Sequence, residues 1–77
     1  MRRIQILGTG CPKCKGLTAN AEAAVKSLGV EATVEKVEKI ADILKFGVLI
    51  TPALVVDGQV KSSGKILEVE DIKALLA

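Results

Sequence analysis

The stretch Arg3-Ile4-Gln5-Ile6-Leu7-Gly8-Thr9-Gly10-Cys11-Pro12-Lys13-Cys14 decides how the rest of the chain is read. Its opening residues alternate polar and apolar side chains as a strand does, and Gly8-Thr9-Gly10 stops them. Pro12 suits the first position of a helix, where a missing N–H has no intrahelical partner to lose. Leu17, Ala21, Ala24, Val25 and Leu28 then recur at helical spacing until Gly29 supplies a left-handed stop. Two cysteines therefore fall at a strand-to-helix junction, just beyond the carboxyl end of the strand, where open α/β sheets carry their functional loops.

Working outward, Val30, Ala32 and Val34 alternate with Glu31, Thr33 and Glu35, which predicts a second strand from residue 30. Ile40, Ile43 and Leu44, ended by Gly47, predict a short helix. Leu54, Val55 and Val56 make a third strand, and Asp57-Gly58 is a two-residue hairpin turn into a fourth, around Gln59 to Lys61. After Ser62-Ser63-Gly64, the spacing of Val69, Ile72, Leu75 and Leu76 predicts a last helix. The order β-α-β-α-β-β-α calls for a right-handed parallel crossover at the start and an antiparallel hairpin near the end. The fold class is α/β, a four-stranded mixed sheet with three flanking helices.

Composition bounds the function. Seventy-seven residues, 49% of them hydrophobic, support one core, so residues 1–77 are read as a single domain. No apolar run approaches the roughly 20 residues a bilayer span needs, and the amino end lacks the apolar region of a signal peptide. The expected protein is soluble, cytoplasmic and monomeric. Eleven basic and nine acidic residues, interleaved, give +2 and no footprint for nucleic acid or an anionic membrane. Arg2 and Arg3 are read as solvated charges. The chain has no His, Trp or Tyr, which removes imidazole ligands and Cys/His pairs and leaves Phe46 as the sole aromatic.

A disulfide between Cys11 and Cys14 would close a very small loop, worth roughly 2 kcal/mol on a chain-entropy model, so a structural staple is a weak reading of the pair. Chemistry explains it better. A thiolate attacks disulfides, and an ordinary cysteine pKa of about 8.5 leaves only about 3% ionised at pH 7. At a helix amino end, unpaired N–H groups and the positive dipole end stabilise the anion, and Lys13 and Lys15 add positive potential. Stronger ionisation raises attack only a few-fold, because nucleophilicity falls with pKa. Its larger benefit is that a low-pKa Cys11 leaves readily when Cys14 attacks a mixed disulfide. Cys11, at the exposed position, is expected to attack, and Cys14, a turn further in, to resolve.

Ile50-Thr51-Pro52-Ala53 precedes the third strand and should come close to the dithiol. A cis Thr51-Pro52 bond is expected there, with the Thr51 backbone turned outward to pair with an extended peptide across Cys11. Pro12, Lys13, Thr51 and Pro52 are the expected substrate contacts. A rival reading makes the two thiolates a carrier for a soft, two-coordinate ion such as Cu(I), zinc being disfavoured for want of four ligands. A third makes the chain a non-catalytic interaction module presenting Phe46, Leu49 and Ile50, residues more often found in a core.

Residues 4–14, with Gly8-Thr9-Gly10-Cys11-Pro12-Lys13-Cys14 at their end, resemble the opening of the small thioredoxin-like redox-active disulfide proteins of archaea and bacteria. Thr51-Pro52-Ala53-Leu54-Val55-Val56-Asp57-Gly58 is similar to their cis-proline, strand and hairpin, and the resemblance spans essentially the whole chain. It implies a protein disulfide oxidoreductase with Cys11 nucleophilic, Cys14 resolving and Thr51-Pro52 lining the substrate groove. Protein disulfides and a separate reductase are the implied partners, and no cofactor or metal is called for. Where thioredoxin has a buried acid on the first strand and a Trp before the first cysteine, this chain has Gln5, read as an ordinary strand residue whose place beneath the dithiol is only suggestive, and Gly10. Ser62-Ser63-Gly64-Lys65 lacks the Gly-Gly-x-Asp pattern with which glutaredoxin holds glutathione.

Overall fold

The most apolar strands take the centre of the sheet. β1 (Arg2–Leu7) and β3 (Ala53–Val56) lie side by side, flanked by the edge strands β2 (Ala32–Val37) and β4 (Gln59–Ser63) in the order β2-β1-β3-β4. Ile4, Gln5, Ile6, Leu7 and all four residues of β3 are buried, as strands covered on both faces must be, whereas β4 is largely exposed. β1 pairs parallel with β2, Arg2 opposite Ala32, and antiparallel with β3, Ile6 opposite Leu54. The structure, a computed structural model, describes residues 2–10 and 12–76.

Alternation along the central strands feeds two cores. Ile4, Ile6, Leu54 and Val56 point to one face, where α1 (Pro12–Leu28) covers them with Leu17, Ala21 and Ala24, and α3 (Val69–Leu76) with Ile72 and Leu76. The small residues of α1 let the helix approach the sheet closely. On the other face Leu7, Ala53 and Val55 pack with Ile43 of α2 (Ile40–Lys45), Val48 and, at the rim, Phe46. No helix among the described residues is long and apolar enough to cross a membrane.

The element order is the one the sequence predicts, with corrections of detail. β2 begins at Ala32, two residues later than the alternation of Val30 with Glu31 suggests, and runs on to Val37 because Lys36 and Val37 stand opposite Ile6 and Leu7. Leu49 and Ile50 are not core: they are 86% and 64% exposed, while Phe46 is half-buried. Gln5 does not lie beneath Cys14, the one cysteine among the described residues. It points to the α2 face, alongside Arg3, Glu35 and Phe46, because Ile4 and Ile6 on either side of it occupy the α1 face.

Nor are Arg2 and Arg3 merely solvated. Asp57, at φ +50° in the hairpin, accepts the Arg3 backbone N–H at 2.9 Å and the Arg2 guanidinium at 2.7 Å. Arg2 also donates to the Leu76 carbonyl at 3.1 Å, meeting one of the acceptors left open at the end of α3. These two donors, the backbone N–H first, lower the Asp57 pKa below its ordinary value. The folded carboxylate is thus favoured above the unfolded pKa of about 3.9, and its contribution is lost as pH falls through the folded value. In urea melts, Asp57→Asn is expected to be less stable than wild type at pH 7, with the gap closing below about pH 4. A gap that is the same at pH 7 and pH 2 would contradict this reading.

Candidate active site

Helix α1 starts at Pro12, so Cys14 falls in its first turn, pointing inward, while Pro12 and Lys13 are exposed. Cys14 is 5% exposed and its carbonyl accepts the Thr18 hydroxyl at 2.9 Å, a bond between successive turns that also buries the threonine. Cys11, the expected attacking sulfur, lies outside the described residues.

What shapes the floor beneath Cys14 is Gly8. Its N–H donates to the Val37 carbonyl at 2.9 Å, continuing the ladder past β1, and so fixes its Cα directly under the helix. A Cβ at Gly8 would fall on the Cys14 sulfur, stand 3.1 Å from the Cys14 Cβ and reach within 3.9 Å of the Thr51 Cβ. Three chain segments therefore converge on one point: the end of β1, the first turn of α1 and, from far along the chain, the loop before β3.

That loop is held by the hairpin. The Thr51–Pro52 bond is cis, Pro52 is buried and Thr51 half-buried. Gly64, at φ +79°, donates its N–H to the Pro52 carbonyl at 2.8 Å, and the Ser63 hydroxyl donates to the Ile50 carbonyl at 2.8 Å. The far end of β4 thus straps Ile50 to Pro52 beside Cys14. Leu49 and Ile50 stand out into solvent at the mouth of this strap, and Ile66 packs within 3.9 Å of the Cβ position of Gly16 on α1. The structure thus brings Cys14, Thr51 and Pro52 together. Pro12 and Lys13 occupy the exposed side of the same first turn.

Beside Cys14 opens a cleft of about 280 Å³, lined by Gly8, Gly10, Lys15, Lys36 and Glu38 as well as the cysteine. Gly10 sits at φ +85°, and a Cβ there would stand 3.2 Å from Glu38 Oε2. Sequence reasoning missed Lys36 and Glu38. The signal available was the alternation of β2: Val34 faces α1, so Lys36 and, just past the strand, Glu38 are set on the same side.

The family model for the thioredoxin domain matches residues 2–77. The chain is 44% identical to a thioredoxin of Methanothermobacter thermautotrophicus over 77 residues, the whole of both chains. It is 41% identical to a thioredoxin of Methanocaldococcus jannaschii over 70 residues, 91% of this chain and 80% of that one. The chain belongs to the thioredoxin family and is a thioredoxin-like disulfide oxidoreductase. Neither the family nor these relatives support the metal-carrier alternative.

Proposed function

On the premise of that membership, we propose that Cys11 and Cys14 form a redox dithiol that exchanges electrons with protein disulfides and is recharged by a separate reductase. Cys11 attacks a substrate sulfur, and a mixed disulfide forms as the first substrate thiolate leaves. Cys14 then attacks Cys11, releasing the second substrate sulfur and leaving the protein disulfide. Positive potential from Lys13 and Lys15 favours the attacking anion, and Pro12 stiffens the turn between the two sulfurs. The Thr51–Pro52 strap lines the groove in which an extended substrate segment lies across the dithiol. The reaction needs no cofactor, and the protein works as a single-domain monomer in the cytoplasm.

The observation that carries this reading is the placement of Cys14. A sulfur that must meet only its neighbour, never the substrate, belongs in a shielded first turn, and Cys14 is buried against Gly8 with Thr51 adjacent. Mass-spectrometric thiol trapping across a redox titration tests it. Cys11 and Cys14 are expected to lose alkylation together, as one two-electron couple with tenfold changes in oxidation ratio about every 30 mV. Independent titration of the two thiols would defeat the proposal.

A further inference from the structure

We propose that the groove on the α2 face of the sheet binds a flat, uncharged nitrogen heterocycle whose edge sets a hydrogen-bond donor beside an acceptor, the 6-aminopurine ring of an adenine nucleoside being the fitting case. The site is separate from the dithiol reading, since Cys14 lies on the other face, beneath α1. The six residues of α2 are too few to cover their whole face of the sheet. Ile43 clusters with Leu7, Ala53 and Val55, and beside them, over Gln5 and toward Arg3, a groove of about 400 Å³ remains. Gln5 is its floor, 7% exposed, and the side-chain amide hydrogen-bonds to none of the described residues. Among those residues the sealed side-chain polar atom without a partner is Ser62 Oγ, so the Gln5 amide is not sealed and opens into the groove it lines. A buried amide with donor and acceptor both unclaimed calls for a partner that supplies both.

The walls and the rim narrow the occupant. Phe46, half-buried just past α2, gives part of its surface to the groove, and Val37 of β2 adds a second apolar wall. Charge is confined to the rim in two pairs, Arg3 with Glu35 at 3.2 Å and Lys45 with Asp42 at 3.4 Å, their side chains 43% to 76% exposed. The four charges sum to zero, so nothing there selects an ion. The occupant must therefore be neutral, apolar on its faces and polar along one edge. That describes a nucleobase, and it disfavours both an aliphatic chain and a ligand led by its phosphates. Bases stack on aromatic side chains, and a glutamine amide pairs with adenine twice, its N–H donating to a ring nitrogen and its C=O accepting from the exocyclic amine. A volume of about 400 Å³ lies within the range of small-ligand sites and seats the base with its ribose at the open rim.

The test is an NMR titration of the full chain with adenosine, N6,N6-dimethyladenosine and ATP, followed at the Gln5 side-chain amide and the Phe46 backbone amide. Adenosine is expected to saturate both with a dissociation constant on the order of 0.1 mM, as ordinary ligand efficiency gives for a molecule of its size. Dimethylation removes the donor and leaves the Gln5 carbonyl oxygen unpaired, so that analogue should bind about tenfold more weakly. ATP should bind no more tightly than adenosine, with an affinity that added salt leaves unchanged, because the rim has no net charge. Gln5→Leu removes both hydrogen bonds while keeping a buried side chain of similar size, and should bring adenosine down to the level of the dimethyl analogue or below. The wild-type panel decides even where that variant does not fold. Four results each overturn the inference: no saturable shift at Gln5 up to the solubility limit of adenosine, equal affinity for adenosine and its dimethyl analogue, a salt-sensitive preference for ATP, or a folded Gln5→Leu chain that binds adenosine like wild type. Reduction of a model protein disulfide is measured apart from them, and its outcome bears on the dithiol reading alone.

Discussion

Replacing Gly8 with alanine will lower both the stability of the fold and the rate at which the mixed disulfide is resolved. Gly8 is not among the glycines at positive φ, so its backbone admits alanine, and relief of unfolded-chain entropy alone would stabilise by about 0.4–1 kcal/mol. The added methyl, however, lands on the Cys14 sulfur and 3.1 Å from the Cys14 Cβ. The sulfur can turn away, but the Cβ is fixed to the helix backbone, so α1 itself must shift. Overpacking of this kind costs about 1–3 kcal/mol and should outweigh the entropic gain. Each net kcal/mol lowers the melting temperature of so small a domain by about 4–8 °C. Gly29 provides the contrast: at φ +65° with nothing within 4 Å, alanine there suffers from backbone conformation alone and leaves Cys14 untouched. Calorimetry paired with rapid-quench measurement of the resolving step checks both parts. A Gly8→Ala protein that melts and resolves like wild type would show that the contact is not a constraint.

The difference between those two glycines marks how far the sequence could be read. Gly29 was legible as a helix stop because a left-handed residue after a periodic run is a local signal, and the same holds for Pro12 at the start of α1 and for Asp57-Gly58 in the hairpin. Gly8 read only as the end of a strand, since its closeness to Cys14 depends on how α1 settles on the sheet. The same limit hid Glu38 beside Gly10 and the face of the sheet to which Gln5 points. A first strand buried on both sides has no polar face to reveal which residues look toward α1, and only its pairing with β2 and β3 settles the matter. Leu49 and Ile50 failed for the opposite reason: hydrophobicity predicts burial, but here the strap from Ile50 to Pro52 is held by main-chain and Ser63 contacts and leaves those side chains outside.

Cys14→Ser is expected to arrest the proposed cycle after its first half. Serine nearly matches the size of the cysteine it replaces, so the first turn of α1 and the Thr18 bond to its carbonyl should persist. What disappears is the nucleophile: a hydroxyl has no accessible anion near neutral pH and cannot displace a thiolate from the adjacent disulfide. Attack through Cys11 proceeds, and one equivalent of substrate stays bound covalently. Turnover of a protein disulfide should fall on the order of 10²-fold or more, as removal of a group acting in concert with another does. The initial burst should remain within a few-fold of wild type. Mass spectrometry under non-reducing conditions should find the adduct on Cys11, and dithiothreitol should release it. Cys11→Ser, in contrast, should neither burst nor trap. Were Cys14 the attacking sulfur, the two variants would exchange phenotypes, an outcome its 5% exposure argues against.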